Sequence, residues 1–329
     1  MEEPNIHKAE EEGRRGFQAA QNRFSGLLKD AVPPGLETPD ELGELNELDL
    51  IAHRYREAFE IVKPLIENPE VIKAGLEEIH IDASEGRRKE NTVSAWYAAR
   101  KVFVFRALDI WHRGDREIQK QIEVYFDDKT FIDNATKAVL DFPTSSSETK
   151  RDYVWDAIVG ASVSNIRGLW NRAIKKKRKE LEGYLKNKKF IDAVAEEVRL
   201  NAKDAVEGKG KGTMYQYACA TADGVAALII SGIWDKLHRE TRVEIEGYLK
   251  NQEFINRVAE EIHSKYAKSL TKKGYTSVWV VALDAFALKT LAEYYEREAE
   301  KLRSTQGADA ARKPQGDVNL SDILPAKAF

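Results

Sequence analysis

Residues 182–187 read Glu-Gly-Tyr-Leu-Lys-Asn, and the same six residues recur at 246–251. The repetition continues past the hexapeptide, because Phe190 returns as Phe254 in the same frame. A stretch copied at a fixed spacing is typical of one supersecondary unit repeated along the chain, in which neighbouring units bury what each cannot bury alone. We therefore predict a repeat architecture.

Tryptophans extend the repeat and indicate its secondary structure. Trp111, Trp170 and Trp234 follow one another at intervals of 59 and 64 residues. Between Trp155 and Trp170 the apolar residues are three, four and seven positions apart, which is the spacing of one face of an α-helix. No run alternates apolar and polar residues as a strand would. The predicted fold class is all-α: a helical-repeat array of about four three-helix units of roughly 60 residues, a solenoid or elongated bundle, with capping helices.

Polar or glycine-containing joints set the predicted boundaries. Residues 1–35 form an N-terminal amphipathic helix, residues 36–303 the helical-repeat domain, and residues 304–329 a disordered tail. Within the domain we predict units at about 36–91, 92–150, 151–212 and 213–275, followed by a closing helix at 276–303. The third helix of each unit begins where an Asn or Asp side chain is expected to accept hydrogen bonds from the first amides, at Asn68, Asp127 or Asp128, Asn187 and Asn251.

Composition limits the class of protein. Charged residues make up 33% of the chain, yet the formal net charge is only −3, which gives no overall attraction to nucleic acid or anionic membranes. Cys219 is the single cysteine, so no intrachain disulfide can form. No stretch has the roughly 18 apolar residues of a membrane span. We expect a soluble cytoplasmic protein, with a nuclear location as the alternative.

Two Glu-x-x-His motifs are the metal-ligand candidates, Glu77 with His80 and Glu260 with His263. Residues three apart share a helix face, and ferritin-like proteins bind metal with such pairs. The two motifs occupy equivalent repeat positions, however, so copying alone explains their similarity. Glu260 and His263 are also predicted to lie opposite the apolar stripe of their helix, towards solvent. We predict a solvated face here, and no metal or other cofactor.

Basic side chains form the second candidate site. Stacked units would align them into a ridge able to bind a polyanion such as nucleic acid or an acidic partner. The alternative is a solvated helix connection balanced by neighbouring glutamates. The predicted ridge consists of Arg113, Arg116, Lys175, Lys176, Lys177, Arg178, Lys236, Arg239 and Arg242.

Arg100 and Asp223 fall on apolar helix stripes. A charge in such a position must be paired or must face a cavity. An ion pair between units is one interpretation, and a ligand pocket beside Trp96, Trp155 or Tyr217 is the other.

An apolar island in the tail is the best candidate for binding a protein partner, because three of its side chains would share a helix face. Its residues are Val318, Leu320, Ile323 and Leu324.

No motif points to catalysis, and we predict that the chain is not an enzyme. The first function hypothesis is a scaffold or adaptor that presents an extended helical surface to a protein partner. The second is a polyanion-binding protein that uses the basic ridge. A helical protein that binds a metal or a ligand is the third.

Overall fold

The computed structural model describes residues 40–141, 179, 183, 185–207, 211–270 and 278–312. Within these ranges the protein is all-helical, with ten α-helices, two 3-10 turns and no strand. The prediction of an all-α fold is confirmed. None of the helices in these ranges is long and apolar enough to cross a membrane.

The α-helices are numbered in chain order. They are α1 (Asp40–Ile66), α2 (Pro69–Gly86), α3 (Thr92–Ala107), α4 (Arg116–Phe126), α5 (Lys129–Asp141), α6 (Lys188–Glu207), α7 (Lys211–Ile230), α8 (Arg239–Leu249), α9 (Gln252–Leu270) and α10 (Val278–Arg312). The 3-10 turns are Trp111–Arg113, between α3 and α4, and Trp234–Lys236, between α7 and α8.

Helices α2–α5 and α6–α9 follow the same packing pattern. In the first group α2 packs on α3 and α4, and α3 packs on α5; in the second, α6 packs on α7 and α8, and α7 packs on α9. A 3-10 turn precedes the third helix of each group, and the tryptophan of that turn is buried. Helix α3 is buried over most of its circumference.

The ends of α3 and α7 close in the same way. After α3, Asp109 takes a positive φ of 61°, and Ile110 N–H donates to the Phe105 carbonyl. After α7, Gly232 takes a φ of 65°, and Ile233 N–H donates to the Leu228 carbonyl. A left-handed residue with this bond is a common helix C-terminus. It turns the chain so that the following tryptophan enters the core.

The predicted N-caps are confirmed at four helix starts. Asn68, Asp128, Asn187 and Asn251 each accept a hydrogen bond from the backbone amide two residues later, at 2.8–3.0 Å. Asp128 rather than Asp127 caps α5. These bonds satisfy amides that the first helical turn leaves without a partner.

Helix α10 and helix α1 join the two groups. Tyr55 of α1 stacks on Tyr295 of α10, with ring centroids 5.8 Å apart, and donates its hydroxyl to the Leu249 carbonyl at 2.8 Å. At the other end of the domain, Lys289 of α10 donates to the Ala107 carbonyl at 2.6 Å. The helix predicted to close the chain therefore packs against α1 and also contacts α3.

The close approach of α2 to α3 at Gly86 gives a test of the packing between these two helices. A Cβ at Gly86 would lie 2.6 Å from the Cα of Ala95, whereas a Cβ at Gly247 on exposed α8 would meet nothing within 4 Å. We expect Gly86→Ala to destabilise the protein by about 1–3 kcal/mol, because backbone must move. Gly247→Ala should stabilise it by about 0.5–1 kcal/mol. Urea unfolding of both variants measures this, and equal effects would show that α2 and α3 are not in contact at Gly86.

Candidate functional site

Exposed apolar side chains flank the contact between α2 and α3. Ile81 is 55% exposed, Val93 47% and Tyr97 40%, and we call these three residues the apolar face. Lys101 of α3, which binds Asp82 at 2.8 Å, holds the two helices together beside them. Contiguous exposed apolar patches mark protein-binding surfaces, whereas single exposed apolar side chains are common on any protein.

The basic residues of the predicted ridge divide into paired and exposed side chains. Arg113 forms an ion pair with Glu67 at 3.1 Å, and Arg242 lies 3.6–3.7 Å from the carboxylates of Asp235 and Glu246. Arg116, Lys236 and Arg239 are exposed. Lys175, Lys176, Lys177 and Arg178 lie outside the described residues, and the continuity of the ridge stays a prediction.

The Glu-x-x-His residues do not come together in the described residues, where no group of three or more His, Cys, Asp or Glu side chains could hold a metal ion. His80 instead lies beside Tyr125 of α4, with ring centroids 5.6 Å apart. The prediction that His263 faces solvent is wrong. Its side chain is partly buried, and this burial lowers the pKa of the imidazole. A 100° helical wheel misplaced it because α9 packs against helices on more than one side.

Two further predictions fall outside the described residues. These are the N-terminal helix at 1–35 and the apolar island of Val318, Leu320, Ile323 and Leu324. The tryptophans Trp155 and Trp170 of the predicted third unit lie outside them as well. All of these stay predictions.

A solvent-open cleft of about 350 Å³ lies where α1, α8 and α10 meet. We call it the charged cleft, and its principal lining residues are Asp235, Arg242, Glu246, Tyr294, Tyr295 and Glu298. One of its tyrosines is held by a hydrogen bond, since Trp234 Nε1 donates to the Tyr294 hydroxyl at 3.0 Å. Sequence reasoning missed this cleft, because its residues come from segments that are distant along the chain.

Four helices contribute to a second group of ionisable side chains, Arg100 of α3, Asp223 of α7, Lys265 of α9 and Asp284 of α10. We call it the buried charged cluster. Lys265 Nζ binds Asp284 Oδ2 at 2.7 Å, and Asp284 is only 1% exposed. The Arg100 guanidinium lies over the Trp279 ring, 4.6 Å from its centroid. The two residues that the sequence placed on apolar stripes, Arg100 and Asp223, thus lie in one group of ionisable side chains contributed by four helices.

Asp223 and Asp284 form a pair of buried carboxyl groups in contact with each other. Asp223 hydrogen-bonds with the carboxyl of Asp284, while its Oδ1 atom is buried without a hydrogen-bond partner. Burial, and then the negative charge of Asp284, raises the pKa of Asp223 well above its ordinary value. Burial also raises the pKa of Asp284, which Lys265 opposes. A hydrogen bond between two carboxyl groups needs one proton, and the larger rise in the pKa of Asp223, which has no direct bond to Lys265, favours Asp223 as the group that keeps it.

Comparison of the chain with protein-family models, with curated proteins and with solved structures gave no match. The function must therefore be argued from the geometry.

The buried charged cluster predicts effects of different size for the same Asp→Asn change at two positions. Asp284→Asn leaves Lys265 buried without its carboxylate and should cost about 3 kcal/mol. Asp223→Asn replaces a protonated acid by a group of the same shape, and should cost little. Urea unfolding of both variants provides the comparison. Equal, large losses for the two variants at every pH would show that Asp223 is ionised.

The same pair predicts a pH dependence. A carboxyl with a raised folded-state pKa stabilises the fold fully below its unfolded pKa of about 3.9, and loses this contribution as pH rises through the folded pKa. The free energy of unfolding of Asp223→Asn should therefore increase relative to the wild type as pH rises from about 4. A difference between the two proteins that stays constant with pH would contradict this.

Proposed function

We propose that the protein is a non-enzymatic helical-repeat scaffold or adaptor that presents an extended surface to a protein partner. The observation that carries the proposal is the apolar face, where Ile81, Val93 and Tyr97 stay accessible on two helices fixed to each other. Burying such side chains against a partner would contribute roughly 25 cal/mol for each Å² of apolar area. The face is therefore able to supply binding free energy.

Two further observations support this proposal. Asp223 and Asp284, whose pKa values burial raises, lie among packed helices, where a substrate has no access. The matching packing of α2–α5 and α6–α9 also supports a repeat built from copied units. Repeat proteins of this kind present long surfaces, because each unit adds its own outer face.

Site-specific photo-crosslinking tests the proposal in extracts of the source cells. A photoreactive phenylalanine at Tyr97 should crosslink to a defined protein, whereas the same residue at Glu117, which is 71% exposed, should not. Ile81→Glu should abolish the crosslink while changing stability by no more than about 0.5 kcal/mol, because Ile81 is at the surface. Equal crosslinking from positions 97 and 117 would contradict the proposal.

The alternative proposal is polyanion binding through the basic ridge, supported by the exposure of Arg116, Lys236 and Arg239. It predicts retention on heparin and binding that weakens steeply with salt. The double variant Lys236→Glu/Arg239→Glu should elute at lower salt than the control Lys188→Glu/Lys189→Glu, which changes the charge by the same amount at two other exposed positions. Coincident elution of the two variants would exclude this role for α8.

A further inference from the structure

Three helices in the described part of the chain begin at a capping asparagine and pack on the helix that follows them. They are α2 on α3, α6 on α7 and α9 on α10, and we call these contacts the three helix pairs. The capping residues Asn68, Asn187 and Asn251 give the pairs a common reference point. Repeat proteins with similar contacts are prone to exchange equivalent elements, so a correct fold needs features that distinguish the pairs.

Apolar side chains distinguish the outer two helix pairs poorly. Ile72 and Ile79 of α2 return as Ile255 and Ile262 of α9, at the same distances from the capping asparagine, and all four are buried. Apolar packing tolerates exchange between side chains of similar volume, and here the residues are identical. At these positions α2 and α9 present the same apolar side chains to either partner helix.

Charges at one equivalent position do distinguish the two pairs. Asp82 of α2 and Lys265 of α9 are equivalent, as are Lys101 of α3 and Asp284 of α10, because one offset of 183 residues relates both sets. Asp82 binds Lys101 at 2.8 Å, and Lys265 binds Asp284 at 2.7 Å. The two ion pairs therefore occupy the same place in their helix pairs, with the acid and the base exchanged.

Both ion pairs are largely removed from solvent. The side chains of Lys101 and Asp284 are 9% and 1% exposed, and those of Asp82 and Lys265 are 19% and 15% exposed. A charge in such a place is strongly unfavourable when it loses its partner or meets a like charge. Glu78 of α2 lies 3.3 Å from Lys101 as well, which adds to the preference of this lysine for α2.

The middle helix pair is neutral at the same position. Helix α6 carries Asn201 where α2 carries Asp82, and α7 carries Gly224 where α3 carries Lys101, both ten residues before the tryptophan of the 3-10 turn. A Cβ at Gly224 would lie 2.7 Å from a methyl carbon of Val198 on α6, so this contact has no room for a charged side chain. The three helix pairs thus carry acid and base, two neutral residues, and base and acid.

We propose that the opposite polarity of the two ion pairs determines which helix packs on α3 and which on α10, and so keeps two copies of the chain from exchanging helices. Placing α9 on α3 would bring Lys265 against Lys101, and placing α2 on α10 would bring Asp82 against Asp284. Exchange of equivalent elements is otherwise a low-cost route to dimers. Specificity here comes from repulsion in the wrong arrangement as well as from attraction in the right one.

This role of the ion pairs is independent of the proposed scaffold function, because none of the four residues belongs to the apolar face. Refolding of full-length charge-reversal variants tests it. Asp82→Lys/Lys101→Asp keeps an ion pair but gives both helix pairs the same polarity. After dilution from urea at high protein concentration, it should form at least about tenfold more dimer than the wild type. Size-exclusion chromatography with light scattering measures this, and a dimer fraction equal to that of the wild type would overturn the proposal.

Two further variants separate the effect of polarity from that of charge reversal itself. The quadruple variant Asp82→Lys/Lys101→Asp/Lys265→Asp/Asp284→Lys makes the polarities opposite again and should return to the dimer fraction of the wild type. The control Lys188→Asp/Asp192→Lys reverses an exposed ion pair of α6 and should also match the wild type. A quadruple variant that dimerises as much as the double variant would refute the proposal.

The mirror variant keeps the test decisive if Asp82→Lys/Lys101→Asp does not fold. Lys265→Asp/Asp284→Lys also makes the two polarities equal, and should likewise form at least about tenfold more dimer than the wild type. Failure of both variants to fold would contradict the proposal too, because it would show that local surroundings fix each polarity, rather than the need for the two pairs to differ.

Discussion

The ion pair between Lys265 and Asp284 is the interaction on which the described structure depends most. It links α9 to α10 inside the protein, where an unpaired charge would be far more costly than at the surface. Asp223 of α7 and Arg100 of α3 complete its surroundings, so helices from both halves of the chain meet at one polar point. Apolar packing supplies the free energy of folding, but it tolerates many small shifts of one helix along another. A short bond between two buried charges tolerates few, and it fixes how α10 sits between the two groups of helices.

Much of the local structure could be predicted from the sequence, because local structure follows from neighbouring residues. Asn68, Asn187 and Asn251 cap helices as expected, since a side-chain oxygen near free amides needs no distant partner. The sequence also indicated that Trp111 and Trp234 occupy equivalent positions, and in the structure each follows a helix that ends with a left-handed residue. The position of Asp223 on an apolar stripe indicated that it needs a partner or a cavity, but its neighbours Asp284 and Lys265 could not be identified from spacing within one helix.

The parts that the sequence did not predict depend on contacts between distant segments. The charged cleft combines α1, α8 and α10, and nothing in the spacing of Glu246 relates it to Tyr295. The prediction that His263 faces solvent was wrong for the same reason. A helical wheel describes one face against one neighbouring helix, whereas α9 packs against several helices. A repeat pattern indicates which segments have similar local structure, but it does not indicate how α10 packs against the other helices.

The antiparallel pairing of α1 with α10 has a consequence for chain topology. Arg56 pairs with Glu296 near the middle of the two helices, and Arg303 pairs with Asp49 nearer their free ends. Residues 40 and 312 therefore leave the domain on the same side. A covalent bridge between these two ends would permit new termini to be opened in a surface turn elsewhere, as in a circular permutant. Anything attached before residue 40 and after residue 312 would also be delivered to one locality, at a high effective concentration relative to the other.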